Sequence, residues 1–352
     1  MSTDRTGRRQ GLRIAFAVAA SFTAAVAQGE VIPFLGPVFA AQLLMASRRP
    51  MGVPQAIGFV AVMVLAGQGF LVLTGILAER PLPFLLMLGL IYFACFVAQL
   101  NRRGGPAPAL ILTIGVAAPL LGVLDRDLGA SVVVILGKAA ANGVLFAWLA
   151  HVAFPNRESA DSRPLPPPPI HRQATRIAFA NTIILLVIFA FCVADDDLST
   201  AVVLPLTVVS LLGQIDLVTS PRAAAGLVTV NLLGGIVASV SFTILQLWPE
   251  LFWLFLIVLT VGLVFGGLAA ANVNVRAGAG AGTGKVYAGA LITFLILFGL
   301  GVSPLPGSSA EAFSTRIAYV LAAIVYTIVM AAVLWPPRPD LGSAKVRHPA
   351  SA

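Results

Sequence analysis

The sequence predicts an all-α polytopic membrane protein, with about twelve transmembrane helices arranged as two parallel six-helix repeats. Three observations carry the prediction: an apolar composition, apolar runs of membrane length between short polar loops, and an internal echo that restarts the chain near its middle.

Of 352 residues, 59% are hydrophobic and only 10% are charged, and the mean hydropathy is +0.96. A soluble core cannot hide that much apolar surface, so the bilayer is the expected solvent. A net charge of +8 would suggest nucleic acid in a soluble domain. Here the basic residues sit in short loops, where membrane orientation accounts for them, and no nucleic-acid partner is expected. Cys95 and Cys192 fall in apolar runs of different halves and fit small core residues, with neither metal-ligand spacing nor a disulfide framework. No metal or other cofactor is expected.

A bilayer core takes about 20 mostly apolar residues per helix. That ruler places helices near 12–28, 31–46, 56–77, 84–100, 106–124 and 131–154, then near 174–193, 198–215, 222–247, 250–271, 285–302 and 313–335. The first run follows Arg8, Arg9 and Arg13 as a signal peptide would, but no small-residue cleavage site in a polar setting closes it. It reads as an uncleaved helix.

The echo is Arg9-Gln10-Gly11-Leu12-Arg13-Ile14-Ala15-Phe16-Ala17, which returns with two substitutions as Arg172-Gln173-Ala174-Thr175-Arg176-Ile177-Ala178-Phe179-Ala180. Pro37 with Leu43-Leu44 resembles Pro205 with Leu211-Leu212, and Phe154-Pro155 and Trp335-Pro336 close the halves alike. The first repeat is assigned to 1–155 and the second to 173–337, with a cytoplasmic tail over 338–352. The linker over 156–172 contains Pro164 and Pro166 to Pro169 and is semi-rigid. An even number of spans per half makes the repeat parallel, with a substrate path expected between the halves.

Arg5, Arg8, Arg9, Arg48, Arg49, Arg102, Arg103, the linker arginines, Arg222, Arg276, Lys285 and the basic tail all fall on one side of that count. Glu30, Glu79, Asp125, Asp127, Asp195 to Asp197, Glu250 and Glu311 fall on the other. The positive-inside rule then makes both termini cytoplasmic.

Polar residues within apolar runs are costly in lipid and usually face the bundle or a wet cavity. Lys138 stands about two turns into the sixth helix, with Asn142 one turn on and on the same face. Lys138 either holds an anionic substrate group, snorkels outward, or pairs with an acid such as Asp127. Gln28, Gln42, Gln68, Asn181, Asn231 and Gln246 are candidates for substrate contact or for bonding between helices. Pro33 and Pro37 in the second helix and Pro205 in the eighth occupy related places, as functional helix breaks or as packing kinks. Arg13 and Arg176 open the first helix of each half, as headgroup anchors or as the lining of a cytoplasmic vestibule that gathers anions. His151, one turn before the end of its helix, is a minor candidate for proton relay, and Asp216 reads as a solvated loop charge. Gly278-Ala279-Gly280-Ala281-Gly282-Thr283-Gly284-Lys285 imitates a nucleotide loop but lacks its first glycine and its hydroxyl after the lysine, and reads as a flexible loop.

Arg13 to Ala17, Pro33 and Pro37, Arg49 through Gly58 and Ala153-Phe154-Pro155 carry a resemblance in the first half. Arg176 to Ala180, Pro205, Pro221 through Gly226 and Leu334-Trp335-Pro336 carry it in the second. On these the chain resembles the fusaric acid resistance protein-like superfamily, within it the short bacterial members of unknown function (DUF2955-like). The resemblance implies export of aromatic carboxylic acids and other toxic organics across a Gram-negative inner membrane, beside a periplasmic adaptor and an outer-membrane channel. Plant malate channels look similar in their membrane part. This chain departs by having a short linker where larger members carry a soluble domain.

The leading expectation is an inner-membrane permease for a small organic anion, with Lys138 and Asn142 meeting a carboxylate and the proline sites shaping the pocket. With no nucleotide site, an ion gradient would drive it, yet no acid in the sequence lies deep enough to be an obvious proton carrier. A passive anion channel and a non-transporting scaffold subunit are the alternatives, a homo-oligomer is compatible with each, and no enzyme is expected.

Overall fold

A computed structural model of the chain describes residues 2–47, 49–101, 103–105, 107–124, 126–155, 171–194, 203–215, 221–272, 281–303 and 310–334. Among these residues the secondary structure is helical throughout, with twelve helices and no strand. The first six are α1 (Ser2–Ala27), α2 (Leu35–Ala46), α3 (Val53–Leu77), α4 (Pro81–Leu100), α5 (Ala107–Leu124) and α6 (Arg126–Ala153). The second six are α7 (His171–Ala194), α8 (Val203–Ile215), α9 (Pro221–Leu247), α10 (Leu251–Asn272), α11 (Ala281–Val302) and α12 (Ala310–Leu334). Within α1, α3, α4, α6, α7 and α10 lie apolar stretches of 20 to 25 residues, long enough to cross a bilayer. The protein is an all-α polytopic membrane protein.

One helix is shorter than the apolar run that contains it. The run begins near 31, but α2 starts at Leu35, which leaves a helix of 12 residues. At 1.5 Å per residue it reaches about 18 Å, well short of a hydrocarbon layer of about 30 Å. Pro37 is the third residue of α2, where a backbone N–H has no intrahelical partner and its loss does no harm. It opens a short helix and does not break a long one. α11 departs in the other direction: Ala281 to Lys285 are helical, not loop, and Gly284 is buried, so packing outweighs the helix penalty of its glycines.

The exposed large apolar side chains on the described helices come from α3, α4, α6, α7, α9, α10 and α12. These form a lipid-facing outer ring. Among the described side chains α2, α5, α8 and α11 present none and lie inside that ring, as expected for helices that are apolar around their whole circumference.

The pairings recur in both sets of six: α2 packs on α6 as α8 does on α12, and α3 on α5 as α9 on α11. Between the sets, α1 packs on α10 and α7 on α4, while α5 meets α8 and α11 meets α2. The α1–α10 contact is close because glycine permits it. A Cβ on Gly262 would lie 2.9 Å from Ala15 Cα, and one on Gly266 would lie 2.9 Å from Ile14 Cγ2. Small residues four apart bring membrane helices together in this way. In α5, Pro119 removes the donor that would have bonded Gly115 O four residues back, and the Tyr92 hydroxyl of α4 donates to that carbonyl at 2.7 Å.

Candidate functional site

α2 and α8 do not close on each other. Between them, floored by α5 and α11, lies a cavity of about 240 Å³. Phe34, Leu35, Val38, Gln42 and Met45 line it from α2, and Leu206, Val209, Ser210 and Gly213 from α8. These positions recur every three or four residues, one stripe on each helix. Gln42 and Ser210 each stand five residues beyond their helix's proline, so equivalent positions put a polar group on either wall. Gln99 and Thr113 add polar atoms from α4 and α5, although the Thr113 hydroxyl already donates to Ala109 O at 3.1 Å. Gln42 Oε1 is buried without a hydrogen-bond partner, an open acceptor that a ligand's donor would satisfy. Among the described residues that line it, none is charged.

A second cavity, of about 330 Å³, lies where the end of α2, the start of α3 and the end of α6 meet. Arg49, Gln55, Trp148 and His151 line it. The Trp148 indole donates to Met51 O at 2.8 Å, and His151 Nδ1 lies 2.8 Å from Ala147 O and must donate to it, so this ring carries its proton on Nδ1. Nε2 is buried and unpartnered.

Arg13 stands at the same end of the molecule but in no open vestibule. It is 1% exposed. Its Nε donates to Phe154 O at 2.7 Å, Nη2 donates to the same carbonyl, and Nη1 reaches Gln10 Oε1 at 3.3 Å. Gln10 in turn donates to Leu44 O at 2.6 Å. The guanidinium thus satisfies a carbonyl just past the end of α6 and answers that helix's negative pole, while Gln10 ties in α2. Arg176, its echo, is exposed and borders a shallow cavity with Phe93, Phe179 and Leu334.

Lys138 is exposed and lies within electrostatic reach of Glu30 in the α1–α2 turn. Burial raises the Glu30 carboxyl above its ordinary value, and the Lys138 ammonium pulls it part of the way back. Asn142, one turn along α6, accepts from Ser21 Oγ at 3.0 Å and packs against Gly36, where α1, α2 and α6 meet. Lys138 and Asn142 therefore flank α2 on the side away from the cavity, while Gln42 lines it. Pro33, Pro37 and Pro205 are buried at the helix starts, and Asn181 is fully buried in α7. Gln28, Gln68 and Gln246 are exposed. The proline-rich linker, Asp195 to Asp197, Asp216 and the tail lie outside the described residues, as do the side chains of Asn231, Asp127 and Lys285.

Sequence reasoning passed over Ser210, Gln99 and Thr113. The signal for Ser210 was present, because the spacing from Pro37 to Gln42 equals that from Pro205 to Ser210. Gln99 and Thr113 had no such signal.

No curated protein and no solved structure matches the chain. The model of a family described as a protein of unknown function (DUF2955) matches residues 10–149. That stretch runs from the basic opening of α1 to the last turn of α6 and takes in Arg13, Glu30, Gln42, Lys138 and Asn142.

Proposed function

We propose that the protein is an inner-membrane permease that exports a small amphipathic organic acid, aromatic carboxylates foremost, along the seam between α2 and α8. The observation that carries this reading is the cavity between α2 and α8, walled by equivalent polar positions, Gln42 and Ser210. Its volume of about 240 Å³ falls below the roughly 300–1,000 Å³ of drug-sized sites, which favours a cargo of about one ring. Aliphatic walls suit the ring. The amino end of α2, at Phe34 and Leu35, is the positive pole of a helix that starts inside the bilayer and suits the carboxylate. The end bearing Arg8, Arg9 and Arg49 would face the cytoplasm, with an ion gradient as the energy source and a periplasmic adaptor as the partner that completes export.

One observation favours a second reading. None of the described residues lining the seam is of a type that titrates near neutral pH, so the path through it would suit a passive organic-anion channel as well as a carrier.

Efflux of radiolabelled benzoate from proteoliposomes tests both. The carrier reading expects flux that needs an imposed proton gradient and is lost when Gln42→Leu or Ser210→Leu fills the seam. Flux that persists without the gradient selects the channel. Folded wild-type protein with no flux in either condition refutes transport by this chain alone.

A further inference from the structure

The cavity of about 330 Å³ between α2, α3 and α6 takes no part in the seam. It reaches the roughly 300–1,000 Å³ of small-molecule sites. By donating to Met51 O at 2.8 Å, the Trp148 indole fastens the α2–α3 connection to α6 and fixes the shape of the space between them. Leu43, Leu44 and Val144 form an apolar wall. His151 also lines the cavity, and its Nδ1 is held at 2.8 Å by Ala147 O, which fixes the ring. Its Nε2 keeps a lone pair that is buried and without a partner. A buried acceptor in that state calls for a donor from outside the chain.

The poles of three helices give the cavity two unlike ends. α2 and α6 both finish at it: Ser47, which closes α2, is part of the lining, and His151 stands in the last turn of α6. Carboxyl ends of helices favour a cation. α3 starts at it, with Gln55 in the first turn and Arg49 in the connection just before. An amino end and a guanidinium together favour an anion, a phosphate above all. No described residue of the lining is acidic. The ligand that fits is a zwitterion, with a phosphate at one end and a cationic N–H donor at the other.

The position of the cavity names the source of such a ligand. α3 and α6 pack on each other and belong to the lipid-facing ring. At this end Val53 and Ile57 of α3 and Leu149 and Val152 of α6 are exposed, which offers apolar surface to acyl chains beside a polar recess. Basic residues and a tryptophan near the helix ends mark headgroup depth.

We propose that this cavity binds one phospholipid of the aminoethyl class from the adjoining leaflet, with its phosphate on Arg49 and its ammonium donating to His151 Nε2. The acyl chains then lie over the exposed faces of α3 and α6. The site is independent of the permease reading.

Native mass spectrometry of the purified full-length protein tests it, in titrations with phosphatidylethanolamine, its monomethyl and dimethyl forms, and phosphatidylcholine. Methylation adds bulk at every step of that series, but the N–H is lost only at the last. The wild type should hold one lipid of each of the first three kinds with similar affinity, and phosphatidylcholine about tenfold more weakly. His151→Phe keeps a ring and removes the acceptor, and should level the series; Arg49→Gln should weaken every member alike. Glycerophosphoethanolamine, the same headgroup without acyl chains, should compete poorly.

A decline spread evenly over the series overturns the proposal, as does equal binding of phosphatidylcholine, or a preference that survives in His151→Phe shown to be folded by helical circular dichroism. Competition by glycerophosphoethanolamine as strong as that of the lipid overturns the lipid as occupant. Should His151→Phe fail to fold, the methylation series on the wild type and the exposed Arg49→Gln site decide the matter by themselves.

Discussion

Replacing Arg13 separates two roles that the sequence left open, a gatherer of anions and a clamp. Arg13→Met keeps most of the aliphatic stem and removes the guanidinium. The loss is a charge-assisted hydrogen bond to Phe154 O, made by two N–H groups, and a longer one to Gln10. A hydrogen bond to a charged group contributes about 1.5–3 kcal/mol. A cation at a partly buried helix C-terminus adds up to about 2 kcal/mol. The two descriptions overlap, because the carbonyl is part of that pole, so the expected destabilisation is about 3 kcal/mol rather than their sum. Arg13→Lys should recover about half, since an ammonium supplies the charge but not the fork that reaches one carbonyl from two nitrogens. Reversible unfolding in mixed micelles, followed by helical circular dichroism, would measure both. Arg176→Met is the control: same sequence context, exposed side chain, expected change within about 0.5 kcal/mol. If Arg13→Met also fell within about 0.5 kcal/mol while abolishing anion flux, the clamp argument would fail.

Two further variants test the packing. Tyr92→Phe should destabilise by about 1–3 kcal/mol, because it strands the Gly115 carbonyl that Pro119 left without a donor; adding Pro119→Ala returns an N–H to that carbonyl, so the double variant should be less destabilised than the sum of the singles in the same assay. Gly266→Leu should separate α1 from α10, since even a Cβ would sit 2.9 Å from Ile14; a cysteine pair placed across that crossing should cross-link in the parent protein and fail to do so in the variant.

What the sequence disclosed followed from local chemistry. Apolar runs of membrane length foretold most helices within a few residues, because burial in lipid depends on composition and length. Pro37 showed that something happens early in α2, but only the backbone shows that it is a third residue. The Gly/Ala stretch before Lys285 looked like loop, because glycine content speaks of propensity and not of the packing that overrides it. Arg13 and Arg176 looked alike and are not: one is enclosed by the end of α6, the other open. Contacts between distant residues were out of reach. Nothing local connects Glu30 with Lys138, Ser21 with Asn142, or Tyr92 with a carbonyl on the next helix.

The packing also constrains how any transport cycle would move. Rocking six helices against six would slide α1 along α10, where backbones touch at Gly262 and Gly266. Such a contact is favourable only in register, since a gap of 0.5–1 Å forfeits about a quarter to a half of the dispersion attraction. α2 and α8 each turn one stripe toward a void where there is no packing to lose. A cycle that opens or closes this void moves α2 against α8, and α1 on α10 can stay in register as the fixed frame.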